Sequence, residues 1–482
     1  MTDLDRRKRL VVLAVCCMSL LIVGMDNTIV NVALPSIQRD FHASVAGLQW
    51  TIDAYLVVLA SLLMLSGSMA DRFGRRRTFQ LGLVIFTLGS LLCSLAPSLV
   101  WLVVFRMLQA VGGSMLNPVA VSIIRNTFDN PKERAQALGA WGAVIGISLG
   151  LGPVVGGILV HTVGWRSIFW VNIPVGVAAI ALTARFVPES KAAHPRRLDP
   201  IGQILVIVFL VSLTYSIIEG PQAGWGSERI VGLFALAVVS LGSLVWYERR
   251  RDEPLIDVRF FRSTPFSGAT LIAVTAFAAF SGFLFLNTLY LQEVRGLSPL
   301  DAGLYTLPMA AMTIVMAPIS GAIVGRRGPR TPLVVSGCAL VVSSLMLTGL
   351  SATTSFTWLI VSYLLFGIGF GLVNPPITQT AVSGMPAAQA GVAAAVASTS
   401  RQVGQSMGVA VVGVAATSGL HGSLSAGLAT ASHAGWWIIT GCGLGVLVLG
   451  VVTTSARARR SAQRTAELFE SEAPPTAASP RG

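Results

Sequence analysis

The sequence predicts an all-α polytopic membrane protein, and three observations carry that prediction. Of its 482 residues, 53% are hydrophobic and only 11% are charged, against about a quarter charged in an ordinary soluble chain. The charges collect in short clusters between apolar runs, each long enough to cross ~30 Å of hydrocarbon as a helix. The 49 glycines and 23 prolines lie scattered through those runs, and both residues are common in membrane helices.

Fourteen spans follow in order: 10–34, 47–67, 78–96, 99–122, 138–160, 166–186, 200–219, 230–248, 266–291, 302–324, 332–350, 356–376, 391–417 and 434–454. The first run is too long for a signal-peptide core and lacks a small-x-small cleavage site, so it is expected to stay as a span. Cys16 faintly suggests a lipoprotein site, but the apolar run continues well past it. The spans at 200–219 and 230–248, joined by the turn from Glu219 to Trp225, are the weakest, yet both are long enough to cross. After residue 455 the chain is rich in Ala, Pro, Ser, Glu and Arg and reads as disordered.

Charge sets the orientation. With Arg6–Arg9 in the cytoplasm, alternate loops and the tail hold 28 of the 34 Lys and Arg residues. The opposite loops hold only Arg39, Arg166, Arg229 and Arg295, and Arg106 and Arg401 lie inside spans. The positive-inside rule therefore places both termini in the cytoplasm of a multi-pass inner-membrane protein. The net charge of +13 follows from that pattern and gives no reason to expect nucleic acid.

A degenerate repeat divides the chain. The loop from Gly67 to Arg77 has an echo from Gly321 to Arg330, and Gly113, Asn117 and Pro118 are echoed by Gly371, Asn374 and Pro375. The expected organisation is a cytoplasmic N-terminus (1–9), a six-helix half (10–186), an inserted helix pair with linkers (187–262), a second six-helix half (263–454) and a disordered cytoplasmic tail (455–482). Repeated halves with a path between them are a transporter layout.

Other chemistries find little support. Cys16, Cys17, Cys93, Cys338 and Cys442 all fall in apolar runs without metal-ligand spacing. His42, His161, His194, His421 and His433 are scattered among loops. There is no nucleotide-binding loop, catalytic triad or metal cluster, so an enzyme or an ATP-driven pump is not expected, and no cofactor or metal is implied.

Charges inside spans are costly and mark function by default. At 1.5 Å per residue, Asp26 lies roughly 12 Å below the external end of span 1, Asp53 roughly 9 Å into span 2 and Arg106 roughly 10 Å into span 4. The three share one layer. One guanidinium neutralises one carboxylate, leaving the other with a proton affinity set by burial and occupancy. Asp26 is the favoured proton carrier, Asp53 the second choice and Arg106 the modulator; a purely structural ion-pair cluster is the alternative. Asn27, Asn31 and Gln109 are candidates for the substrate path or for interhelical hydrogen bonding. Arg401 lies roughly 15 Å into span 13, beside Gln402 and Gln405. It serves either an anionic or carbonyl group of a substrate or backbone oxygens. No acidic residue sits in the middle of spans 9 to 14.

Several of these residues resemble motifs of the major facilitator superfamily, and within it the fourteen-span drug:proton antiporters of the methylenomycin-resistance type. Gly67, Asp71, Arg72, Gly74, Arg75, Arg76 and Arg77 are similar to the superfamily's loop between spans 2 and 3. Met25 to Pro35 resembles the end of span 1 in fourteen-span exporters, and Arg106, Gln109 and Gly113 resemble the proton-coupling motif of span 4. Gly146, Gly150, Gly152, Pro153, Gly156 and Gly157 resemble the span 5 motif of exporters, and Trp165 to Gly176 opens span 6 in the family's manner. The second basic loop departs from the pattern, because no Asp stands between Gly321 and Arg330.

The resemblance implies the major facilitator fold, alternating access, and a monomeric exporter of small hydrophobic or cationic drugs driven by the proton gradient. It also implies that Asp71 and the neighbouring arginines latch the halves at the cytoplasmic side, and that the span 5 glycines form a hinge. The loop arginines are further candidates for anionic lipid headgroups. A proton symporter for a nutrient or siderophore, or a non-transporting membrane sensor, is the alternative.

Overall fold

The computed structural model describes residues 5–192, 198–251, 254–383, 385, 390–419 and 424–471. In chain order the helices are α1 (Arg6–Phe41), α2 (Val45–Phe73), α3 (Arg75–Ser94), α4 (Leu99–Thr127), α5 (Pro131–Thr162), α6 (Ser167–Trp170), α7 (Asn172–Phe186), α8 (Pro200–Ala223) and α9 (Glu228–Glu248). After them come α10 (Thr264–Leu289), α11 (Pro299–Tyr305), α12 (Leu307–Arg327), α13 (Arg330–Leu347), α14 (Phe356–Val382), α15 (Ala390–Ser418), α16 (Leu424–Thr453) and α17 (Ala456–Ser471). Local chemistry sets several boundaries. Ser44, Ser227, Ser298 and Ser355 cap the helices that follow them, Asp199 caps α8 ahead of Pro200, and Gly74, at φ 114°, separates α2 from α3.

Among the described residues, thirteen helices are long and apolar enough to cross a membrane. They match the expected spans except 391–417. That stretch is α15, a 29-residue helix about 43 Å long, with Ser398, Thr399, Ser400, Arg401 and Gln402 at its centre. The polar run keeps it out of the apolar set.

The tail also corrects the reading from composition. Residues 456–471 are helical (α17), with Ala458, Ala462 and Thr465 buried and the Phe469 ring 5.3 Å from that of Phe260. These four residues share one helical face, so periodicity outweighs composition here. Residues 472–482, His194 and His421 lie outside the described residues.

Packing repeats between the two parts of the chain. In the first, α1 packs on α5, α3 on α4, α2 on α4 and α3 on α7. In the second, α10 packs on α15, α13 on α14, α12 on α14 and α13 on α16. Glycine permits close approach in both parts: a Cβ at Gly112 would sit 2.3 Å from the Phe86 nitrogen, and one at Gly404 would sit 2.4 Å from the Val274 oxygen.

Two seams join the parts, α2 against α15 and α5 against α11 and α12. The helix α8 covers the first. Ile218 packs on Ala46 and Ala410, Leu210 packs on Val57 and Ala60, and the Gln203 amide donates to the Ser61 oxygen at 2.6 Å.

The second seam is closed at one end only. At the end away from α17, a Cβ on Gly150 would meet Ala310 at 3.0 Å and one on Gly157 would meet the Pro299 oxygen at 2.6 Å. The same stripe of α5 continues through Gly146, Gly142 and Gly139, and that of α12 through Gly321 and Gly325. All five face open space. The halves are therefore joined at the far end and parted along α5 and α12 at the end that bears α17.

Candidate functional site

A buried polar cluster occupies the first half. Asp26 on α1 is fully buried. One of its oxygens accepts from Arg106 Nη1 at 2.5 Å, and the other accepts from Gln109 Nε2 at 2.9 Å and Asn172 Nδ2 at 3.0 Å. Arg106 also donates to Gln109 Oε1 at 2.8 Å and to the Thr51 carbonyl at 3.3 Å, while its guanidinium carbon lies 4.0 Å from the Tyr55 ring centre. The Ser90 hydroxyl accepts from Asn172 at 3.0 Å and donates to the Phe169 carbonyl at 3.0 Å. Both Asp26 oxygens are thus satisfied, and the ion pair has the auxiliary hydrogen bonds that a buried pair needs.

Helical spacing explains the assembly. Arg106 and Gln109 are three residues apart on α4 and share a face. Gly89 and Gly112 let α3 and α4 approach closely enough for Ser90 to reach Gln109 Nε2 at 3.3 Å. Sequence reasoning brought Asp26, Arg106 and Gln109 together but assigned no role to Ser90, Tyr55 or Asn172. Their only signal was a polar atom at membrane depth.

Asp53 stands apart. It is fully buried on α2, and neither carboxylate oxygen has a hydrogen-bond partner. Its polar neighbour is Ser406 on α15, across the first seam. One turn earlier on α2, the Gln49 amide donates to the carbonyls of Val409 and Ala410, each at 3.0 Å, and fastens the far end of that seam. The shared layer expected from depth therefore holds two groups in one network and the third outside it.

A cavity of about 10 Å³ lies between α1, α2, α10 and α15, lined in part by Asn27, Asn31, Ile52, Phe280, Ser281 and Gln405, with room for about one water. The side-chain oxygens of Asn27 and Asn31 lack partners. Gln405 enters this cavity as part of the second half. Arg401 lies one turn nearer the parted end of α15. Its Nη2 donates to the Thr378 hydroxyl at 2.6 Å, and its buried Nε has no partner.

The basic loop does something different. Asp71 pairs with Arg75 at 2.9 Å, one turn away. Arg76 donates to the Ala184 carbonyl at 2.7 Å, and Arg77 lies 3.7 Å from Glu189. The Arg75 and Arg76 amides bond Ser190 and Glu189. A Cβ at Gly74 would meet the Glu189 carboxylate at 2.5 Å. Asp71, Gly74, Arg75 and Arg76 thus form a junction between α2 and α3 that is folded against the segment after α7, while Gly67 and Arg72 lie on α2. Among the described residues, no hydrogen bond or ion pair joins it to the second half.

The span 5 motif packs along two neighbours. A Cβ at Gly152 would strike the Thr28 hydroxyl at 1.9 Å, and one at Gly156 would meet Ile29 at 2.8 Å, while Gly150 and Gly157 face α12 and α11. Pro153 lies within α5, its carbonyl 2.5 Å from the position of a Cβ at Gly303. Gly146 is free of contacts. Gly146→Cys and Gly321→Cys are accordingly expected to react with a water-soluble maleimide in the resting protein, and Ala310→Cys to be protected. Equal protection of all three would contradict a parted seam.

Two helical halves built on the same packing scheme, with a small cavity between them, have the layout of a multi-pass membrane transporter. The family model described as Major Facilitator Superfamily matches residues 16–409. The chain belongs to the major facilitator superfamily. It is 39% identical over 407 residues to multidrug resistance protein Stp of Mycobacterium tuberculosis, covering 84% of this chain and 76% of that one. It is 39% identical to the tetracenomycin C resistance and export protein of Streptomyces glaucescens (82% and 73% covered) and 34% identical to the methylenomycin A resistance protein of Streptomyces coelicolor (81% and 82%). Among solved structures, an auto-inhibited POT family peptide transporter superposes with a TM-score of 0.66 at 17% identity, covering 93% of this chain and 96% of that one. At that identity the likeness speaks for the fold alone.

Proposed function

We propose that the protein is a proton-coupled exporter of drugs or antibiotics, acting as a monomer by alternating access in the cytoplasmic membrane. Its relatives by sequence are resistance and export proteins, and the Lys and Arg distribution favours a cytoplasmic location for both termini. In that orientation the parted end opens to the cytoplasm, where a drug would be collected. The helix α15, thirteenth in order, completes a set of fourteen spans, its polar centre facing the path.

The observation that carries the proton coupling is the isolation of Asp53. An ionised carboxylate removed from water, with no cation beside it and only the Ser406 hydroxyl at hand, is far more costly than a neutral carboxyl. We infer that Asp53, rather than Asp26, carries the exchanged proton. Asp26, Arg106, Gln109, Asn172 and Ser90 instead bind α1, α3, α4 and α7 into one rigid body. Drug entering beside Gln405 displaces the proton to the cytoplasm, and reprotonation from outside releases the drug.

The direct test is to add drug to weakly buffered, purified protein and read the pH. Proton release is expected, and its absence would remove antiport. In proteoliposomes an imposed pH gradient should drive drug towards the acidic side. Movement towards the alkaline side would favour a symporter.

A further inference from the structure

Inside a span of the second half lies a guanidinium, that of Arg401, to which no carboxylate is paired among the described residues. Arg401 is half-buried, bonded through Nη2 to the Thr378 hydroxyl at 2.6 Å, and its Nε lacks an acceptor. By contrast Arg106, the other arginine within the spans, has the Asp26 carboxylate, the Gln109 amide oxygen and the Thr51 carbonyl as partners. A planar fork with unfilled donors in a medium of low polarity calls for an anion, and carboxylate matches its geometry.

Beside it stand three buried aromatic rings, one of which borders the cavity. Phe277 lies 6.0 Å from the Arg401 guanidinium carbon and edge-on to Phe370 at 5.1 Å. Phe280 stacks on Phe370 at 4.1 Å and also lines the central cavity, where Gln405 offers its amide. Guanidinium, aromatic face and amide thus run in sequence from the parted end to the cavity. Flat π-systems bind such rings in offset or edge contact.

We propose that Arg401 is the anion-binding subsite of the transported compound, and that the protein prefers planar aromatic molecules bearing a carboxylate or an ionised enol for Arg401, together with a hydrogen-bond donor that replaces the proton on Asp53, over aromatic cations of equal size. The proposal rests on the exporter reading and names the substrate class of that same path. It departs from the expectation of cationic drugs, which would require an unpaired carboxylate near the entrance. The carboxylate at hand, Asp53, lies deeper, beside Ser406, five residues further along α15, or about 8 Å.

The test uses the full chain in nanodiscs of phosphatidylcholine alone, so that no anionic lipid competes for Arg401. Three probes are compared by fluorescence: 1-pyrenecarboxylate, 1-pyrenemethanol and 1-pyrenemethylammonium. The carboxylate is expected to bind at least about tenfold more tightly than the alcohol, the scale of a hydrogen bond to a charged group. R401Q should erase that preference and leave the alcohol unchanged, whereas R401K should keep part of it. Thr378→Val, which retains the charge but removes the hydroxyl that orients it, should weaken the carboxylate alone and serves if R401Q does not fold. Tightest binding by the ammonium probe, or equal weakening of all three in R401Q, overturns the proposal. Drug efflux from cells is measured separately: if export persists while R401Q leaves the probe preference unchanged, the anion subsite fails and the exporter reading stands.

Discussion

Asp53→Asn is expected to abolish proton release on drug binding and to make drug affinity independent of pH. In the wild-type protein the drug competes with a proton, so affinity should rise as pH rises through the titration of the site. By linkage the proton and the drug must affect each other equally, and coupling between two ligands typically spans about 5–150-fold. Asparagine has nearly the shape of the neutral acid and cannot ionise. The variant should therefore fold, retain its monodisperse profile and bind drug with a flat pH profile, while efflux driven by a pH gradient falls to background. Asp26→Asn makes the contrast. It should leave proton release intact and reduce thermal stability, because Arg106 loses its countercharge. Undiminished proton release from Asp53→Asn, or its loss from Asp26→Asn alone, would return the coupling role to Asp26.

Arg106→Met should be the most destabilising single change in the first half. It strands the Asp26 carboxylate, which is fully buried and receives its shortest bond, 2.5 Å, from this guanidinium. Breaking one side of a buried pair costs about 3–5 kcal/mol, whereas replacing both sides with uncharged groups is often nearly neutral. The double variant Asp26→Asn with Arg106→Met is therefore expected to regain most of the thermal stability that the single variant loses. Thermal unfolding of the purified proteins in detergent measures both. A single variant as stable as the wild type would mean that the cluster does not hold the helices together. Arg106→Lys should fall between, since an ammonium loses the fork that reaches Asp26, Gln109 and the Thr51 carbonyl together.

Most of the helix plan was legible in the sequence, because hydropathy over twenty residues is a strong signal and the basic loops alternate. The exceptions have physical reasons. The polar centre of α15 lowers its hydropathy beside the small cavity that Gln405 lines. The tail was judged by composition although its buried positions recur with helical spacing. For the site, depth along a span follows from residue count, and that placed Asp26, Asp53 and Arg106 in one layer. Direction around the helix axis does not follow from depth, so the sequence could not show that Asp26 faces α4 and α7 while Asp53 faces α15. Asn172, Ser90 and Tyr55 are ordinary until three-dimensional packing brings them together. The basic loop was read for its charges alone, and its bonds to Ala184, Glu189 and Ser190 depend on where the chain turns after α7.

Because α8 is bonded and packed across both α2 and α15, a rocking motion of the halves must pivot close to that line. Displacement grows with distance from a pivot, so α5 and α12, on the other seam, sweep the wider arc. The molecule would open like a bound book, with α8 and α9 as its spine. In the proposed orientation, an apolar compound dissolved in the inner leaflet would find its doorway only at the fore-edge, between the glycine stripes of α5 and α12. The extra helices would then make entry from the lipid one-sided without touching the cargo.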